Sequence, residues 1–208
     1  MPSQPPRPTA DRKLVQIVDS ALADVVARSG EWLACRPGCT QCCVGVFAIN
    51  QLDAARLREG LRELEQEDPA RARRVKQRTR QSQSRLRDEF PGNSETGLLG
   101  ESEDEHARFE EFANNEICPA LDPHTGYCDL YAWRPMTCRV FGPPVQTENG
   151  IGVCELCFQG ATEGQIAAAV MSADPDGIES KLVAQLKSKG YSGDTIVAFA
   201  LAEDCKSK

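Results

Sequence analysis

Nine of the ten cysteines in this 208-residue chain fall into three tight groups. The first is Cys35-Arg36-Pro37-Gly38-Cys39-Thr40-Gln41-Cys42-Cys43. The second is Cys118, Cys128 and Cys138, spaced ten residues apart, and the third is Cys154-Glu155-Leu156-Cys157. Thiolates are soft ligands. Gathered densely, they suit zinc or an iron–sulfur centre and disfavour magnesium, calcium or a mononuclear iron oxygenase site. Cys39, Cys42 and Cys43 stand at i, i+3 and i+4, which on one helical turn point to one side. The two-residue gap from Cys39 to Cys42 is that of a zinc knuckle or an iron–sulfur loop. Adjacent cysteines are harder to place, because in extended backbone their side chains face opposite ways. Three readings follow for Cys42 and Cys43: two different ions, a polynuclear cluster, or a single ligand of the two.

In the second group, turns at Pro119, at Pro123-His124-Thr125-Gly126 and at Arg134-Pro135 can fold the loops back to one point. Cys154 and Cys157 could complete that site, form a second one, or act as a redox pair. Cys205 stands apart near the end of the chain and reads as a free thiol. Arg134 and Arg139 flank the cysteines and are expected to offset thiolate charge and donate hydrogen bonds to it. Arg36 reads as a surface residue. His124 reads as a solvated turn residue and His106 as an exposed one, so ligation is expected to be a matter of sulfur.

These residues resemble a known pattern. Cys35, Cys39, Cys42 and Cys43, followed by Cys118-Pro119, Leu121, Cys128, Tyr131, Arg134-Pro135 and Cys138-Arg139, are similar to the YkgJ-type cysteine-cluster family. The resemblance covers about 35–142. It implies chelation of zinc or iron. The family carries a two-residue gap after its first cysteine, whereas three residues separate Cys35 from Cys39 here. Some relatives are linked to methylation of flagellin lysines. This chain offers no separate methyltransferase segment, so that activity is not carried over.

The elements that must position the thiols read as helices. Apolar residues from Leu14 to Val26 recur at helical spacing, predicting a helix over 11–29 that ends at Gly30. Val44 to Ile49 is a short strand or buried turn. Asn50 caps a helix carrying Leu52, Leu57, Leu61 and Leu64. Asp68-Pro69 starts another helix running to about Phe90. Residues 92–105 read as a mobile loop and 105–116 as a short helix. From Cys118 to Gly160 proline and glycine recur, and little regular structure is expected. Thr162 and Gln165 form a capping box, Asp174-Pro175-Asp176-Gly177 a turn, and helices follow toward the C-terminus. The expected fold is mainly α, with helices enclosing an irregular, turn-rich cysteine cluster and little β structure. Residues 1–10 read as a disordered leader. Residues 11–208 read as one metal-binding domain, with its cysteine-rich centre at 35–43 and 118–157 and C-terminal helices over 162–204.

Composition narrows the function. A net charge of −7 argues against general binding to nucleic acid or anionic membrane. Each tetrathiolate zinc site would add about −2. Aromatics are only 6%, a shortfall that a metal cross-link can offset. The leader has no apolar h-region and no stretch is long enough to span a membrane, so the expected setting is the cytoplasm, where thiols stay reduced. Disulfides are the alternative that this setting disfavours. Two other classes were weighed against a metal-binding protein. Cys35, Cys39 and Cys42 spell the radical-SAM pattern C-x-x-x-C-x-x-C, but the alternating strands and helices of such an enzyme are missing. The basic stretch from Arg71 to Arg87 could serve an RNA-binding adaptor. It lacks the aromatics that stacking needs, and a solvated helix face paired with the acidic run at Glu101–Glu105 is the simpler reading. No protein partner is legible.

Overall fold

The computed structural model describes residues 7–36, 38–147 and 150–202. Residues 1–6 of the expected leader, Pro37 of the expected turn and the C-terminal Cys205 lie outside the described residues. The fold is mainly helical, as the periodicity requires, with two small two-stranded sheets. The chain groups into two compact units, each assembled from separated stretches.

The first unit is built on Thr40–Pro135 and the segment after Leu186. Its frame is a helical hairpin of α2 (Gln51–Glu67) and α3 (Pro69–Leu86). Asn50 caps α2 by accepting from the amides of Leu52 and Asp53 at 2.9 and 3.0 Å. Asp68 ends α2 and caps α3, accepting from the Arg71 amide at 3.0 Å, with Pro69 in the first helical position where no amide donor is needed. Leu57, Leu61 and Leu64 of α2 meet Ala72 and Val75 of α3 in a core shared with Leu130, Ala200 and Leu201. Gly60 allows the closest approach in this core. A Cβ there would stand 2.4 Å from the Trp133 ring, so only glycine admits the short 3-10 turn Tyr131–Trp133 against α2.

A second cluster joins Leu86, Phe90, Phe112, Ile196, Ala198 and Phe199. The Phe90 and Phe199 rings lie 4.5 Å apart, and Phe90 meets Phe112 edge-on at 5.9 Å. The segment expected as a mobile loop is instead an antiparallel hairpin, β1 (Gly92–Asn93) with β2 (Leu98–Leu99), followed by α4 (Glu103–Glu111). Side-chain capping decided this. Asn93 accepts from the amides of Glu95 and Thr96, and Ser102 and Glu105 form a reciprocal capping box. The Thr195 hydroxyl donates to Gly97 O at 2.6 Å, and the Leu99 amide donates to Asp194 O, fastening the hairpin to the strand-like entry of α8 (Val197–Ala200). Of the two readings of 44–49, a short strand or a buried turn, the structure retains only single bridges of a strand, Val44 with Ile117 and Ile49 with Thr195.

The second unit comprises Pro8–Cys39 and Met136–Gln185. Helix α1 (Thr9–Ser29) buries Leu14, Val18 and Val25, and a 3-10 turn Gly30–Trp32 ends it. Then come α5 (Met136–Val140), the hairpin β3 (Val145–Thr147) with β4 (Gly150–Gly152), α6 (Glu163–Ala168) with its Thr162–Gln165 capping box, and α7 (Ile178–Ser188), which leads out of this unit. The proline- and glycine-rich stretch from Cys118 to Gly160 stays mostly irregular, as its composition predicts, with only short pieces of helix and one small hairpin in it. Short helices and hairpins tolerate those residues at their ends.

Candidate metal centre

In the first unit, two stretches of chain bring four cysteines together. Thr40 precedes a 3-10 turn, Gln41–Cys43, which ends as Val44 becomes extended. The turn resolves the difficulty of adjacent cysteines. Successive side chains in a 3-10 helix rotate by about 120° rather than alternating, so neighbouring thiols can meet. Cys42 and Cys43 do share a side-chain hydrogen bond. The carbonyl of Cys43 then accepts from the Cys118 amide at 2.9 Å, and Gly45 N donates to Glu116 O at 2.9 Å. The first cysteine group is thereby laid against the second.

Cys128 arrives through a hairpin-like loop. The Asp122 amide donates to Tyr127 O and the Asp129 amide to Ala120 O, with Leu121 bridged to Cys128. Gly126 turns the loop at a φ of 72°, in the region that favours glycine. Ten residues are thus folded back on themselves. The sulfur of Cys118 accepts from the amides of Ala120 and Leu121, and that of Cys128 from the amide of Leu130. Backbone donors aimed at sulfur stabilise negative charge there.

The thiols themselves resist ionisation without a cation. The hydrogen bond from Cys43, then burial and the charge of Cys43, push Cys42 far above the usual thiol range. Burial and then the charge of Cys128 push Cys118 up to about 12. Burial and the neighbouring Asp129 carboxylate push Cys128 up to about 11. Arg134 opposes this by favouring the charged forms of Cys42 and Cys128. Its guanidinium is buried, stacks 3.9 Å over the Tyr131 ring and donates to Tyr131 O at 2.9 Å. The expectation that Arg134 offsets thiolate charge thus has a structural basis.

The loop is clamped by the basic helix. Arg71, Arg78 and Arg85 of α3 are seven residues apart and share one face. Arg71 and Arg78 both pair with the buried Asp129 carboxylate, the latter at 2.5 Å. Arg78 also donates to Pro119 O at 2.9 Å, and Arg85 pairs with Glu116 at 2.6 Å. Arg71, Arg78 and Arg85 thus pair with Asp129 and Glu116, which flank the cysteines, and Lys76 pairs with Glu65 of α2. Asp129 was missed in the sequence, and Arg78 was read only as part of the basic stretch. The heptad spacing of the three arginines was the available signal.

The second unit holds Cys35, Cys39, Cys138, Cys154 and Cys157. Cys154 and Cys157 are buried in a small cluster with Phe158, Ala169 and Trp32. Cys35 is exposed, Cys39 and Cys138 are half-buried, and the Cys39 amide donates to Arg36 O at 2.9 Å. Arg139, expected beside sulfur, pairs with Asp19 of α1 at 2.6 Å, because its place on α5 faces that helix. Arg36, His106 and His124 are exposed, and His124 N donates to Asp122 in a turn. The nine described cysteines are thiols rather than disulfides. Among the described residues no three His, Cys, Asp or Glu side chains form a ready-made coordinating group. The sulfurs of the first unit are grouped, with a donor chemistry that fits zinc or iron, but they do not form a closed cage.

Fold and thiols together define a mainly helical protein with a cysteine-rich middle. The model of one protein family, CxxCxxCC, described as "Putative zinc- or iron-chelating domain", matches residues 34–157. That span covers more than half of the chain, starting one residue before Cys35 and ending on Cys157, so the chain belongs to this family. No curated protein and no solved structure matches it. Among the described residues, no helix is long and apolar enough to cross a membrane.

Proposed function

We propose that this protein binds zinc or iron through the thiols of Cys42, Cys43, Cys118 and Cys128, and that the bound metal braces the loops which present them. The observation carrying this reading is the join between Cys43 O and Cys118 N, which together with the folded-back loop sets Cys42 and Cys43 beside Cys118 and Cys128, whose sulfurs accept from backbone amides. Crowded thiols of which Cys42, Cys118 and Cys128 are pushed above the ordinary range are a poor arrangement for an apo-protein. A soft cation inverts that balance, since coordination removes the protons and the repulsion together. Arg134 reduces the residual charge. Four sulfur donors leave no open position for a substrate, which favours a structural or carrier role over a catalytic one. The reading requires a reducing compartment, and the cytoplasm is the expected one.

The test is elemental analysis and visible spectroscopy of protein purified without oxygen. Zinc with no visible absorption assigns zinc, and broad absorption near ~400 nm assigns an iron–sulfur centre. Cys118→Ser and Cys128→Ser should each lower both metal content and thermal stability, because ligation energy is folding energy. Unchanged metal stoichiometry in both variants would overturn the assignment.

A further inference from the structure

In the first unit, the chain between the first cysteine group and α2 is fastened only at its ends. The Gly45 amide donates to Glu116 O at 2.9 Å, and Ile49 and Thr195 exchange amide-to-carbonyl hydrogen bonds at 2.8 and 2.9 Å. Between these anchors the amides and carbonyls of Val46, Phe47 and Ala48 have no hydrogen-bond partner among the described residues. Val46 packs on the Phe90 cluster and Phe47 on the Leu57 cluster, the side-to-side alternation of an extended chain. An extended stretch with unused backbone donors and acceptors is a template for another strand. A cleft lies beside it, lined by Val46, Phe47, Ile117, Pro119 and Val197 together with Ser82 of α3. Val44 and Ile117, paired across a bridge, are both exposed. The Ser82 hydroxyl is buried without a hydrogen-bond partner, and it does not bond back even to the Arg78 carbonyl one turn earlier in its own helix. A buried hydroxyl left unpaired in an apolar cleft points to a group that enters from outside. The surroundings carry no free charge to attract an ion. No charged residue stands between Arg36 and Asp53, and Glu116, which also lines the cleft, is paired with Arg85.

We propose that this surface binds an extended, uncharged peptide segment of a partner protein, which pairs its backbone with residues 46–48 and places a serine or threonine side chain in the cleft against the Ser82 hydroxyl. The proposal goes beyond metal binding and uses none of the sulfurs, although Cys118 borders the cleft. Backbone pairing supplies affinity, and the cleft selects the side chain, because alternate residues of an added strand face the same way. Apolar residues of the segment cover Val44 and Ile117. A second copy of this chain is a poorer occupant. Paired through the same edge, it would present Val44-Gly45-Val46-Phe47-Ala48-Ile49, which has no hydroxyl or amide side chain to offer Ser82.

The full chain, purified without oxygen, is used to select from a random peptide library displayed on phage, and the enriched peptide is synthesised and titrated. Enriched peptides should carry serine or threonine flanked by apolar residues, and the bound peptide should slow hydrogen exchange at the amides of 46–48. Ser82→Ala should weaken that peptide about fivefold or more while leaving the thermal midpoint unchanged or higher, because its hydroxyl has no partner to lose. Ala48→Pro removes an amide donor that nothing else in the chain uses and should weaken binding likewise. Should that variant fail to fold, Ser82→Ala decides. No enriched peptide, exchange slowed elsewhere but not at 46–48, or an affinity that Ser82→Ala leaves unchanged overturns the proposal. Sedimentation of the chain alone provides a further check. A concentration-dependent dimer that protects the same amides assigns the surface to a second copy and overturns the peptide.

Discussion

Replacing Asp129 with alanine separates the role of the basic helix from the role of sulfur. The Asp129 side chain is 2% exposed and bridges Arg78, which is 18% exposed, and Arg71, which is 38% exposed. A hydrogen bond to a charged group contributes about 1.5–3 kcal/mol net, and the Arg78 contact is buried enough to count in full. The Arg71 contact is more than a third exposed, so solvent screening holds it to about 1 kcal/mol or less. The loss should therefore be about 2–4 kcal/mol, read from urea unfolding of the metal-free protein at neutral pH. Arg71→Ala alone should cost about 1 kcal/mol or less. The altered protein must also order the Cys118–Cys128 loop when metal enters. Each 1.4 kcal/mol of that ordering is a factor of about ten in affinity, measured by competition with a chelating dye. A loss of under about 1 kcal/mol together with unchanged zinc affinity would show that α3 does not hold the loop, and the account of Arg71, Arg78 and Asp129 would fail.

Other consequences concern packing and protons. Gly60→Ala places a methyl 2.4 Å from the Trp133 ring, and overpacking of this kind should destabilise by about 1–3 kcal/mol; a thermal midpoint unchanged within error would contradict the close approach. Metal-free protein should weaken in alkali. Cys118 and Cys128 rise from an ordinary 9.0 to about 12 and about 11, so the folded state holds protons that the unfolded chain releases. Their stabilising contribution is complete below pH 9 and is lost as pH climbs through 11 to 12, by about 1.4 kcal/mol for each at pH 10. Urea melts at pH 8 and pH 10 check this, and metal-loaded protein should show little of the decline. Binding of zinc near neutral pH should release protons, since thiols held protonated must ionise to ligate; calorimetry in buffers of different ionisation enthalpy reads the number, and a value near zero contradicts thiolate ligation. Arg134→Ala should weaken metal affinity, because it removes a positive charge acting on Cys42 and Cys128, and an unchanged affinity in chelator competition contradicts that role.

Much of the frame was written locally. Asn50, Asp68-Pro69 and Thr162 with Gln165 place helix starts through contacts within a few residues, so they are legible without any tertiary structure. The cysteine spacing likewise declares soft-metal chemistry, because ligand type belongs to the residue itself. What the spacing could not declare was grouping. Cys35 and Cys39 lie in one compact unit and Cys42 and Cys43 in the other, although nine residues hold all four. Cys118 and Cys128 share the first unit, while Cys138, at the same interval, falls in the second. Partnership between sulfurs depends on which distant segments pack together, here Cys43 on Cys118 and Ala34 on Cys157, and such non-local contacts leave no periodic trace in the sequence. The basic stretch was ambiguous for the same reason. Its charge was visible, but only the folded loop brings Asp129 and Glu116 within reach of Arg71, Arg78 and Arg85.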